Sequence, residues 1–152
     1  MHNYSPGYVG DLLGVTYRQL SYWRRTKLVV PSIRHGADRW YALDELVATF
    51  MVVQLRGDGF SIQELREVIP ILMHGIRSAH RVSIDHLHSM AAFVSRKGKT
   101  CPDRRFVQPA AEFVMVCHGE IHMNEAADRV FACVQVRELL DQLVEDDDAE
   151  AE

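Results

Sequence analysis

The feature that most constrains this chain is the spacing of two short helical patterns near its N-terminus. Tyr8, Val9, Leu12 and Leu13 repeat on one helical face, and Gly14 interrupts them. Thr16 follows, and a threonine oxygen at this point can accept one of the orphan N–H groups of a helix start. It predicts a second helix over about Tyr17 to Thr26. Leu28-Val29-Val30 reads as a short extended piece, which Pro31 stops. Helix, tight turn and helix within about 20 residues is the helix-turn-helix arrangement.

The second helix is unusual in composition. It holds two adjacent aromatics, Tyr22 and Trp23, and the cations Arg18, Arg24 and Arg25, with Lys27 just beyond. The first residues of such a helix can face base edges in a major groove. Thr16, Tyr17, Arg18 and Gln19 stand at that end. Arginine can donate two bonds to guanine, and glutamine can pair with adenine. Tyr22 lies one turn after Arg18, within reach of a phosphate. Arg24, Arg25 and Lys27 read as neutralisers of the backbone. Trp23 reads as core.

Residues 32–41, SIRHGADRWY, read as a small hairpin turning at Gly36-Ala37-Asp38. Arg34, His35 and Arg39 on it can grip phosphates beside the groove, as a wing does. Tyr41 reads as an anchor of the hairpin, and Trp40 as either packing or contact. Asp44 and Glu45 then suit the first turn of a third helix, where carboxylates meet the positive dipole end. That helix runs from Leu43 to about Arg56. Ser61 and Glu64 form a capping box for a fourth, which Pro70 is expected to end or kink.

The later chain is mixed. Residues 74–82 read as a basic linker and 84–97 as a linking helix. Residues 96–105 read as a second break. Phe106-Val107 reads as strand, Pro109 to Cys117 as helix (with a strand-like alternation at Phe113, Met115 and Cys117), 129–136 as strand and 138–144 as helix. The last eight residues, EDDDAEAE, form an acidic low-complexity tail expected to stay unfolded. The expected organisation is a DNA-binding domain at 1–73, a basic linker and helix at 74–105 that can serve dimerisation, a small α+β effector or partner module at 106–144, and a disordered tail at 145–152.

Charge follows the same division. The chain carries a net charge of −4, yet residues 1–41 hold six basic and two acidic residues. Residues 106–152 hold two basic and 12 acidic residues. The front of the chain can face an anion and the tail cannot. No apolar run approaches the roughly 18 residues of a membrane span, and the N-terminus lacks a secretory pattern. Three widely spaced cysteines argue against a disulfide framework and for a reducing cytoplasm.

Residues 8–73 resemble the winged helix-turn-helix domain of MerR-type transcription regulators. The likeness lies in Gly14-Val15-Thr16, Leu20, Tyr22-Trp23, Leu28-Val29, Pro31, Arg39-Trp40-Tyr41, Asp44-Glu45-Leu46 and Gly59-Phe60-Ser61. It implies a mainly α fold and binding of double-stranded DNA as a homodimer, with the second helix in the major groove and the wing on the flanking backbone. Two positions depart from the family pattern: Ser21 replaces an arginine, and Lys27 replaces a glycine. RNA polymerase or another protein partner for the C-terminal module is a further expectation.

Other functions find less support. Cys117, His118 and His122 offer metal-ligating side chains, but zinc sites usually need three or four converging ligands, and the expectation is no metal and no cofactor. No nucleophile–base set, phosphate loop or HExxH motif is present, so no enzyme activity is expected. Two alternatives remain open at this point: an architectural or recombination-directing DNA binder, and a protein-interaction module.

Overall fold

The computed structural model describes residues 3–94, 114–118 and 132–151. The chain divides into two compact units, Met1–Met73 and His74–Glu152. It is mainly helical, with a small strand-containing module in the second unit.

The first unit opens with α1 (Pro6–Leu13), capped by Ser5, whose Oγ accepts the Tyr8 N–H at 3.1 Å. Gly14 ends it in the left-handed region at φ 69°. The next turn is tight: the Val15 N–H donates to the Gly10 carbonyl at 3.0 Å. α2 (Tyr17–Arg25) follows, and Val9, Leu20 and Trp23 are buried. Its C-terminus is closed by two backbone bonds, Leu28 N–H to the Trp23 carbonyl at 2.8 Å and Lys27 N–H to Arg24 at 3.1 Å. This is a Schellman motif, which normally carries glycine at the left-handed position. Lys27 occupies it at φ 60°.

β1 (Ile33–His35) and β2 (Asp38–Trp40) form the expected hairpin, turning at Gly36 with φ 64°. Tyr4 and Tyr41 exchange two backbone bonds, at 2.9 and 2.7 Å, which tie the chain start to the hairpin exit. α3 (Leu43–Gly57) is buried along most of its length, from Glu45 to Val52 and at Leu55.

α4 (Ile62–Val82) starts with the expected capping box, Ser61 and Glu64 each accepting the other's N–H at 3.1 Å. It does not end at Pro70, and residues 74–82 are helix rather than linker. The reason is a continuous apolar stripe. Leu65, Val68, Ile69, Leu72, Ile76 and Ala79 recur at helical spacing and are all buried. Each large one contributes roughly 1.5–3 kcal/mol of burial, whereas the interior proline costs about 3 kcal/mol once. Pro70 itself is exposed, on the side of the helix away from this stripe.

In the second unit α5 (Ile84–His88) is short, with Ser83 Oγ accepting the His86 N–H at 2.9 Å. The expected helix over 84–97 gives way to β3 (Met90–Val94). Met90, Ala91, Ala92 and Val94 are all buried. A strand covered on both faces is a continuous apolar run, which periodicity cannot distinguish from helix. β4 (Val114–His118) is likewise strand where helix was expected, and β5 (Ala132–Gln135) lies within the expected strand. The sheet order is β4-β3-β5, with both pairings antiparallel: Ala92 lies opposite Val116 and Val134. α6 (Val136–Ala151) packs Val136, Leu139, Leu140 and Leu143 inward. It runs on through the acidic residues expected to stay unfolded. A helix already nucleated extends at one hydrogen bond per added residue. His88 Nε2 lies 2.7 Å from Asp141 Oδ1, linking α5 to α6. The expected break at 96–105, strand at 106–107 and helix start at Pro109 lie outside the described residues.

No described helix is long and apolar enough to cross a membrane.

Candidate nucleic-acid interface

α2 owes its position to its two buried residues. Leu20 and Trp23 are 3% and 5% exposed and fix which side of the helix faces inward. At about 100° per residue, Arg18, Tyr22 and Arg25 then form one outward stripe, and all three are exposed. Tyr22 keeps 45% of its surface and Tyr17 70%. The basic residues Arg24 and Arg25 sit in the last turn, where cations suit the negative dipole end.

Tyr17 and Arg24 lie on the flank of α2 that faces the hairpin. With Ser21, Arg39 and Tyr41 they border a small notch, which Asp38 also lines. Burial pushes the Tyr41 phenol up to about 12; the Arg24 guanidinium works against this, and Glu45 and Tyr17 add to it. Tyr41 is 2% exposed and therefore stays a neutral anchor.

The hairpin register places Arg34 directly opposite Arg39. Like charges so placed repel each other and weaken the pairing unless an anion lies between them. The neighbouring pair, His35 and Asp38, occupies the other face. There the His35 ring stacks on Trp40 at 4.0 Å and 15°. Trp40 is thus committed to hairpin packing.

Thr16 and Gln19 are bound to each other. Thr16 Oγ1 accepts the Gln19 N–H at 3.1 Å, and Gln19 Oε1 accepts the Thr16 N–H at 2.9 Å. The capping box at α2 uses the glutamine oxygen that adenine pairing would need. Lys27 projects from the left-handed turn and is exposed.

The role of Glu45 does not show in the sequence. Its carboxylate is buried at 4% exposure, and its Oε1 accepts the N–H groups of Ser32 at 3.1 Å and Ala42 at 2.9 Å. One oxygen holds both ends of the hairpin. A carboxylate in the first turn of α3 was legible; its reach to Ser32 was not.

A family model described as the MerR HTH family regulatory protein matches residues 4–70. These residues are similar to a MerR-family helix-turn-helix domain. HTH-type transcriptional regulators of Mycobacterium bovis and Mycobacterium tuberculosis, both described as uncharacterized, are 34% identical over 79 residues, which is 49% of this chain and 35% of theirs. The chain thus spans about a third of the length of the curated relatives it matches. A crystal structure of a MerR-family transcriptional regulator from Bacillus cereus is similar at 23% identity and a TM-score of 0.41, over 53% of this chain and 69% of that one.

Every cation assigned to the interface lies within this matched segment. Outside it, Cys117 and His118 stand on β4, and His122 lies outside the described residues. Among the described residues no three His, Cys, Asp or Glu side chains converge as a metal site.

Proposed function

We propose that this chain is a sequence-specific, DNA-binding transcriptional regulator of the cytoplasm. It binds double-stranded DNA as a homodimer over a roughly palindromic site. α2 enters the major groove with Arg18 toward base edges and Tyr22 and Arg25 toward phosphates. The hairpin acts as a wing, with Arg34 and Arg39 on the flanking backbone.

The observation that carries this reading is the placement of six cations, Arg18, Arg24, Arg25, Lys27, Arg34 and Arg39, on one capped helix, its closing turn and the adjoining hairpin. The opposed pair Arg34 and Arg39 supports it further. A phosphate oxygen between them converts a repulsion into two charge-assisted bonds. Net charge is no obstacle, because the acidic residues are concentrated far along the sequence.

The test is the salt dependence of binding to a selected duplex. Neutralising about six phosphates lowers affinity roughly 1,000-fold between 50 and 200 mM salt. A flat dependence would show that phosphate neutralisation is not the source of binding. The spacing of half-sites in the selected duplexes reports the geometry of the dimer.

A further inference from the structure

The capping box of α2 bears on which bases the helix can read. A backbone N–H only donates, so the Gln19 atom 2.9 Å from the Thr16 nitrogen is the amide oxygen. The Thr16 hydroxyl lies 3.3 Å from the same oxygen and can donate to it too. That oxygen is therefore occupied twice. The amide nitrogen keeps its two donors. Gln19 is exposed and lies one residue after Arg18 on the presenting end of the helix.

A side chain in this state has lost half of the usual glutamine code. Bidentate pairing with adenine requires the oxygen to accept from N6 while the nitrogen donates to N7. Guanine O6 and thymine O4 need only a donor. Cytosine presents only the N4 donor, which faces the Gln19 nitrogen without a bond; adenine offers N7 alone, beside its N6 donor, and without the amide oxygen it is no longer singled out over guanine.

We propose that Gln19 is a donor-only reader that selects against cytosine, and does not single out adenine, at one position of the site. This rests on the DNA-binding reading above. Thr16 is the residue that imposes the choice, by holding the amide oxygen.

The experiment selects duplexes from a random pool with the full chain and with two variants. The wild type is expected to disfavour cytosine by ~5-fold or more at one position, the lower end of a good base contact, with adenine no better than guanine. In Gln19→Ala that single preference disappears and the others remain. Gln19→Glu retains an oxygen for the Thr16 N–H and so keeps the box, which guards against loss of α2. Its second oxygen only accepts, so preference at the same position should move to cytosine or adenine. Selection of adenine above guanine and thymine there by the wild type, lost in Gln19→Ala, would overturn the proposal, because only the bidentate pair singles out adenine and the amide must then leave the box. A Gln19→Glu protein that binds and keeps the discrimination against cytosine would overturn it as well. Failure of the wild type to select any duplex is a different result: it would bring down the DNA-binding reading and this proposal with it.

Discussion

The Glu45 carboxylate accepts the backbone N–H of Ser32, 13 residues earlier in the chain, at 3.1 Å. The same oxygen takes the Ala42 N–H at the start of α3. The base of the hairpin is thus clamped from both ends by one buried side chain. Replacing it separates the clamp from its charge. Glu45→Ala leaves two partly buried donors without an acceptor and should lower stability by about 2–4 kcal/mol. Glu45→Gln keeps an accepting oxygen and should lose less than half of that. Urea denaturation of the two variants makes the comparison, and equal losses would mean that the hydrogen bonds are not what Glu45 contributes.

Lys27 couples stability and binding in opposite directions. A non-glycine residue in the left-handed region costs roughly 1–2 kcal/mol. Part of the gain from glycine is offset by the freedom it adds to the unfolded chain. Lys27→Gly should therefore raise stability by about 1 kcal/mol. It should also weaken binding to selected and random DNA alike, since it removes a backbone cation. Thermal melting and a titration with each duplex read the two effects separately.

Arg18 and Arg25 share the outward stripe of α2 but should differ in what they read. Arg18→Ala is expected to cost about 1–3 kcal/mol more on the selected site than on random duplex. Arg25→Ala should cost the same on both and reduce the salt slope by about 1. A uniform loss for Arg18→Ala would make it a phosphate contact.

The turn between α1 and α2 leaves no room for a side chain at Gly10. A Cβ there would come within 2.8 Å of the Val15 carbonyl oxygen, a backbone atom. Gly10→Ala should destabilise the first unit by about 1–3 kcal/mol, as overpacking does. A melting temperature equal to that of the wild type would show that the turn opens freely.

Tyr41 predicts an alkaline limit. Burial raises its folded pKa to about 12, above the ordinary tyrosine value of 10.0. Between these values the unfolded chain gives up the phenolic proton while the folded one keeps it, so stability falls as pH rises through the window. The expected loss attributable to Tyr41 is up to about 2 kcal/mol. Denaturation at pH 9 and pH 11.5, compared with Tyr41→Phe, isolates it; identical pH dependence in both proteins would rule the phenol out.

Much of this molecule was legible where the deciding groups lie within one turn of each other. The Thr16 cap of α2, the Ser61–Glu64 box of α4, the Gly36 turn and the burial of Trp23 and Tyr41 are of this kind. The order of cap, helix, turn and hairpin carried the family likeness, and with it the candidate cations. The Thr16–Gln19 box is half legible: threonine marks a cap by its type, whereas glutamine suits base reading and the cap equally.

The sequence by itself determined the helix-turn-helix and its hairpin, because caps, glycine turns and helical periodicity act over three or four residues. Only the tertiary structure decided that α4 continues through Pro70, that Met90–Val94 is a strand, and that Glu45 reaches Ser32. Each of those outcomes depends on burial or on a partner far along the chain. An apolar run such as MAAFV satisfies helix and strand equally until its neighbours are in place. A local penalty such as that of Pro70 yields when enough apolar surface is covered around it.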